Sequence, residues 1–219
     1  MMAENPHLSI PPREYGCAAG DATLAVILVH GRGQSPEWMH DAVVRRLARS
    51  DIAWHAPAAA EASWYPERFV APLEANEPNL THALDALDAV SDGLRAQGIP
   101  YASQVLMGFS QGACLCSEFV WRRRRRYRAL VAFTGGLIGP PGIQRDIDTH
   151  ALDGVPVLLS TWVDDPHVPA DSVRETALLF ARAGASVTLK VEHGIEHRIR
   201  DQEIDYARAL LSERRSSTP

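Results

Sequence analysis

The amino-acid sequence predicts a three-layer α/β domain, a mostly parallel sheet with helices on both faces. Three observations carry that prediction. Leu24-Ala25-Val26-Ile27-Leu28-Val29 is a continuous apolar run of strand length, as expected of a strand covered on both faces. A second apolar run, Val105-Leu106-Met107, passes directly into Gly108-Phe109-Ser110-Gln111-Gly112 and then into a small-residue stretch of helical character. Further apolar segments alternate with helical patterns to the end of the chain, the mark of helices packed against a parallel sheet. The 219 residues suffice for one sizeable core, so a single domain over 1–219 is expected, with 1–20 as an N-terminal edge segment.

In chain order, residues 1–20 are rich in Pro and Gly and suit one or two short edge strands. The run 24–29 ends in the glycine-bearing loop His30-Gly31-Arg32-Gly33-Gln34-Ser35. Pro36 and Glu37 then open a helix to about Arg49, with Trp38, Val43, Val44 and Leu47 on its apolar side. Ile52–Pro57 is a short strand candidate. From Ala58 to Asn79 there is no clear periodicity, but Ser63-Trp64-Tyr65-Pro66 argues for an ordered, functional loop. Leu80, Leu84, Leu87, Val90 and Leu94 mark an amphipathic helix. The helix after Ser110 ends in Arg122-Arg123-Arg124-Arg125-Arg126, read as a solvated last turn whose cations face the negative end of the helix dipole. Strands are expected at Ala129–Thr134, Val155–Thr161 and Ser186–Val191, and helices at about Ala170–Ala183 and Asp201–Ser212.

Composition narrows the function classes. The hydrophobic share is 46% and the charged share 22%, values of a soluble globular protein. A formal net charge of -5 gives no reason to expect nucleic acid as a partner. No apolar run reaches membrane-spanning length, so no membrane insertion is expected. The start, Met1-Met2-Ala3-Glu4-Asn5-Pro6, lacks the basic and apolar regions of a secretory signal. Cys17, Cys114 and Cys116 are an odd set without metal-ligand spacing, which suits buried thiols and a reducing cytoplasm. No metal or organic cofactor is expected, and a homodimer is compatible with the sequence.

Gly108–Gly112 has the form G-x-S-x-G at a strand-to-helix junction, where a sharp turn holds a serine exposed beside backbone N–H groups. A serine so placed needs a histidine base and an acid, in the chain order Ser, Asp or Glu, His. Asp165, in Asp164-Asp165-Pro166-His167-Val168-Pro169, and His197, in His193-Gly194-Ile195-Glu196-His197, lie just past expected strands in that order. Asp164 is the competing acid, and the residues alone favour Asp165. His193 and His197 are four apart, but Gly194 between them argues for a loop rather than paired metal ligands on a helix. His30 reads as a buried hydrogen-bonded histidine and His167 as a polar loop residue able to line a pocket. The backbone N–H groups of Gln111 and Arg32 are the candidate oxyanion donors.

These residues resemble the phospholipase/carboxylesterase family of α/β-hydrolases, over about residues 23–210. Leu28-Val29-His30-Gly31 with its glycine loop is similar to the family's oxyanion segment, and Ser63-Trp64-Tyr65 to its substrate loop. Gly108–Gly112 has the family's Gln after the serine. Asp165-Pro166 with Val168-Pro169 resembles the acid-bearing segment, which strengthens Asp165 over Asp164, and Gly194–His197 followed by Glu203-Ile204 the histidine segment. The resemblance implies an α/β-hydrolase fold and a serine carboxylesterase, with acyl-protein thioesterase or lysophospholipase as the neighbouring activity. The segment from Gly135 to Pro156 is too short for a large lid domain, which points to an open cleft and small soluble esters. A non-catalytic ligand-binding member of the fold is the alternative from another class. Arg32, Trp162 and Glu196 depart from the common pattern and are expected to reshape the pocket. Trp64, Tyr65, Trp162, Arg32 and His167 are accordingly the expected substrate-binding residues. Arg32 would either pair with an anionic substrate group or turn outward, and Trp162 would either narrow the pocket or pack beneath its loop.

Overall fold

The structure, a computed structural model, describes residues 4–212; Met1, Met2 and Ala3 of the expected edge segment lie outside them. Seven strands form one sheet in the order β1-β3-β2-β4-β5-β6-β7. They are β1 (Arg13–Gly16), β2 (Leu24–Val29), β3 (Ile52–Ala56), β4 (Gln104–Phe109), β5 (Ala129–Phe133), β6 (Pro156–Trp162) and β7 (Ser186–Glu192). All neighbours are parallel except β1, which pairs antiparallel with β3 at the sheet edge in the register Arg13↔Ala56.

The apolar runs behave as two-faced strands should. Along β2, Ala25, Ile27 and Val29 enter one core and Leu24, Val26 and Leu28 the other. The first core is covered by α3 (Asn79–Ala96), α4 (Gln111–Arg123) and α5 (Ala170–Arg182); the second by the helical stretch 36–47 and by α6 (Asp201–Ser212). Within 36–47, α1 (Pro36–Met39) passes through a π-helical turn (His40–Val44) into α2 (Arg45–Leu47). Ala48 takes a left-handed conformation with φ 52°, so the helix ends ahead of the expected Arg49. Ser35 caps its start, accepting from Trp38 N–H at 3.3 Å, with Pro36 at the first position where a missing N–H costs nothing.

The arginine run corrects the expectation of a solvated helix end. α4 stops at Arg123, and Arg124 is left-handed with φ 49°. Arg123 and Arg125 both grip Asp88 of α3, at 2.5 and 2.9 Å. Arg122 meets the buried Glu118 at 2.7 Å. Glu118 also accepts from Ile138 N–H at 3.1 Å and pairs with Arg145 at 3.0 Å. The positive run thus ties α4 to α3, while Glu118 ties it to the β5–β6 connection; spacing alone could not show this because the partners are distant in sequence. Among the described residues no helix is long and apolar enough to cross a membrane.

Candidate active site

Parallel strands carry their loops to one edge of the sheet, and Ser110 sits there between β4 and α4. Its backbone has φ 54° and ψ -119°, a conformation that L-residues adopt only under constraint. The constraint is visible. Ser110 N–H donates to Phe133 O of β5 at 3.0 Å, and chain segments press against the turn at both glycines. A Cβ on Gly108 would lie 2.5 Å from the Gly112 carbonyl, and one on Gly112 would lie 2.3 Å from Val29 O. Only glycine allows the strand, the turn and the loop after β2 to approach this closely.

The bent backbone projects the Ser110 hydroxyl to 2.8 Å from His197 Nε2. His197 Nδ1 lies 2.8 Å from Asp165 Oδ2. The other oxygen, Asp165 Oδ1, accepts from His167 N–H and Val168 N–H, both at 2.8 Å. The Asp165 carboxylate is wholly enclosed. That burial opposes its charge, but the hydrogen bonds from His197 and the two amides outweigh it and hold its pKa below the ordinary 3.8. The His197 ring is bracketed by Phe109, with centroids 5.0 Å apart, and edge-on by His167 at 4.9 Å. The structure brings Asp165 to His197 and leaves Asp164 exposed, its N–H donating to Gly194 O at 3.1 Å. Among the described residues no three His, Cys, Asp or Glu side chains are grouped to hold a metal ion.

A cavity of about 450 Å³ opens over Ser110, with Gly31, Arg32, Gln111, Phe109, His167 and His197 in its lining. Gln111 opens α4, so its N–H is one of those a helix start leaves without an intrahelical acceptor. Across the cavity, the amides flanking Arg32 are engaged: Gly31 N–H donates to Gln34 Oε1 at 3.0 Å and Gly33 N–H to Ala62 O at 2.8 Å.

The aperiodic stretch from 58 to 79 is ordered by side chains that reach into its backbone. Gln111 Oε1 accepts from Trp64 N–H at 3.0 Å, and Gln111 Nε2 donates to Tyr65 O at 2.8 Å. The Arg32 guanidinium donates to Tyr65 O, Pro66 O and Glu67 O at 2.7–2.9 Å. Asn76, fully buried, accepts from Glu67 N–H at 2.8 Å. Arg32 thus latches this loop while also lining the cavity.

Two of the expected pocket residues are corrected. Trp64 is 0% exposed and lies behind the wall. Its indole is flanked by His7 and His30, at centroid distances of 5.3 and 5.1 Å, and its Nε1 donates to His30 O at 2.8 Å. An indole with an N–H to satisfy and two rings to stack on is more stable buried there than at a wet cleft. Trp162 is likewise buried, its Nε1 donating to Arg198 O at 3.3 Å. It packs under Gly194, where a Cβ would come within 2.8 Å of the indole, and the Arg200 guanidinium lies 4.6 Å from the ring centroid. Trp162 is thus a platform for the loop that carries His197. Tyr65 and His167 do line the cavity.

Gln34, Arg68, Phe69, Val168 and Cys114 also line it, none of them among the expected substrate-binding residues. Arg68 and Phe69 follow Ser63-Trp64-Tyr65 within the same unpatterned stretch, and that proximity was the one signal available. Cys114 lies one helical turn after Ser110, and burial pushes its thiol up to about 12, so it stays protonated and unreactive.

A mostly parallel sheet with helices on both faces and a serine at a strained strand-to-helix turn defines an α/β-hydrolase. Residues 14–213 match the phospholipase/carboxylesterase family, and the chain belongs to that family. It is 34% identical to a phospholipase/carboxylesterase from Dyadobacter fermentans whose crystal structure superposes with a TM-score of 0.81, covering 93% of this chain and 97% of that one. It is 28% identical to acyl-protein thioesterase 1 of Cryptococcus neoformans over 178 residues, 74% of this chain and 72% of the relative. A carboxylesterase from Mesorhizobium loti shares the fold at a TM-score of 0.71 with 19% identity, over 97% of both chains.

Proposed function

We propose that the protein is a serine carboxylesterase acting on small soluble esters through Ser110, His197 and Asp165. The observation that carries this reading is the unbroken hydrogen-bonded chain Ser110–His197–Asp165 at the floor of an open cavity. Ser110 Oγ attacks the acyl carbonyl while His197 Nε2 takes its proton. Asp165 fixes the imidazole with Nδ1–H toward it and stabilises the imidazolium that forms. The N–H groups of Gln111 and Arg32 receive the oxyanion, and a donor of this kind contributes about 3 kcal/mol of barrier lowering. His197 returns the proton to the leaving alkoxide. Water, deprotonated by the same ring, then cleaves the acyl-enzyme to the free acid and regenerates Ser110.

The same steps cleave a thioester. The Cryptococcus relative, named a thioesterase, supports that second reading. Ser110→Ala is expected to lower kcat/KM on para-nitrophenyl butyrate by more than about a thousandfold with the circular dichroism spectrum unchanged. Retention of a tenth of the wild-type rate would contradict the assignment.

A further inference from the structure

The charges around the cavity point past ester hydrolysis in general to a class of ester. Two guanidinium groups line it, those of Arg32 and Arg68. Among the described residues neither has a carboxylate within 4 Å, in contrast to Arg123, Arg125, Arg145 and Arg200. Arg32 spends its donors on three backbone carbonyls, and neutral acceptors orient a cation without cancelling its charge. Arg68 makes a single bond, to His167 O at 3.3 Å, and so retains most of its five N–H donors. That bond joins the 63–69 loop to the loop that carries Asp165.

The negative side of the balance is small. The Asp165 carboxylate is enclosed and engaged by His197 and two amides. Glu67 is the carboxylate of the lining, and it pairs with neither guanidinium. Tyr65, Phe69, Phe109 and Val168 add apolar surface to the wall, beside the uncharged polar groups of Gln34 and Gln111. Apolar surface beside two cationic side chains suits a short carbon chain that carries a negative charge.

We propose that the preferred substrate is an ester carrying a carboxylate, on its acyl or its alcohol part, that seats against the free donors of Arg68 within the positive field it shares with Arg32. Arg68 is then a specificity-determining residue. A guanidinium offers a planar fork to such a group, and a bond between two charged partners is stronger than one between neutral ones. This proposal rests on the esterase reading above and sharpens it.

The test compares matched pairs of esters on the whole protein. For the acyl side, the para-nitrophenyl half-ester of glutaric acid is compared with para-nitrophenyl butyrate. For the alcohol side, butyryl glycolate is compared with ethyl butyrate. In at least one pair the anionic member is expected to have the larger kcat/KM by about tenfold, expressed mainly in KM, and the pair that shows it tells which half carries the charge. Arg68→Gln is expected to reduce that ratio about tenfold and Arg68→Lys by less. Raising ionic strength should shrink the ratio in the wild type, because a partly exposed pair is screened. A wild-type ratio of one or less in both pairs, or a ratio unmoved by Arg68→Gln, overturns the anionic preference while the esterase reading stands. Hydrolysis of none of the four esters overturns the esterase reading itself.

Discussion

On one side of Ser110, the chain from 63 to 69 is held by polar side chains that bond to its backbone: Gln111 to Trp64 and Tyr65, Arg32 to three successive carbonyls, Asn76 to Glu67. On the other side, the chain from 193 to 200 packs on the indole of Trp162, with a glycine pressed against it, a bond from Nε1 to Arg198 O, and further bonds from Asp164 N–H to Gly194 O and from Arg46 to Ile199 O. The first wall has no repeating structure and is fixed by directional bonds. The second combines packing on an aromatic ring at the end of a strand with three such bonds. Both place a backbone or ring where the proposed reaction needs it, and each is expected to fail in its own way when its support is removed.

The largest expected effect lies at the junction of the second wall with its acid. Asp165→Asn should present the wrong partner to His197 Nδ1 and lower kcat by about 10⁴-fold. Asp164→Asn, in an exposed side chain, should change it by less than about threefold. Steady-state kinetics on one ester decides, and equal losses in the two variants would break the assignment.

The first wall is tested next by Gln111→Leu. The backbone N–H of residue 111 remains, but Trp64 N–H loses its buried acceptor, at about 1–3 kcal/mol, and Tyr65 O loses one donor while keeping those of Arg32 and Ser63. Thermal unfolding should fall by several degrees and kcat by about a hundredfold. A variant with wild-type Tm and rate would show that the loop does not depend on this side chain.

A smaller loss is expected when the indole of the second wall is trimmed. Trp162→Phe removes the bond to Arg198 O and part of the platform beneath Gly194, so kcat should fall about tenfold while KM and the acyl-chain preference stay as they are. A shift toward longer acyl chains would show instead that residue 162 faces the substrate.

The smallest effect is in stability against pH, and it belongs to the first wall. Burial lowers the pKa of His7 and of His30, the two rings flanking Trp64, below the ordinary 6.5. The unfolded chain therefore binds protons that the fold does not as pH drops below 6.5, and stability must decline from there through the lowered values. His7→Gln, whose side-chain oxygen can still accept from Ala60 N–H, should flatten the fall in Tm between pH 7 and 5 by about a degree or two. An unchanged slope would remove His7 from the account.

The same contrast explains what could be read in advance. The central strands were legible because burial on both faces leaves an apolar run, and the turn at Ser110 because close backbone contact demands glycine at 108 and 112. Positions of the hydrogen-bonded chain at 165 and 197 followed from strand ends and chain order. Trp64 was placed in the pocket, and Trp162 was left between pocket and support, because an aromatic in a loop looks the same in sequence whether it faces substrate or supports the loop from behind. What separates the two cases is the partner of each indole N–H, a carbonyl of residue 30 or of residue 198, far away along the chain. Arg32 was hard to read for a related reason: its acceptors are backbone carbonyls, which no residue type announces.

The central claim is that the strained serine at the end of β4 is a nucleophile activated by His197. Treating the protein with a fluorophosphonate and mapping the adduct by peptide mass spectrometry tests it most directly. The account predicts one equivalent of adduct, on Ser110, formed rapidly in the wild type and at least about a hundredfold more slowly in His197→Ala. An unlabelled protein, or label on another residue, would contradict it.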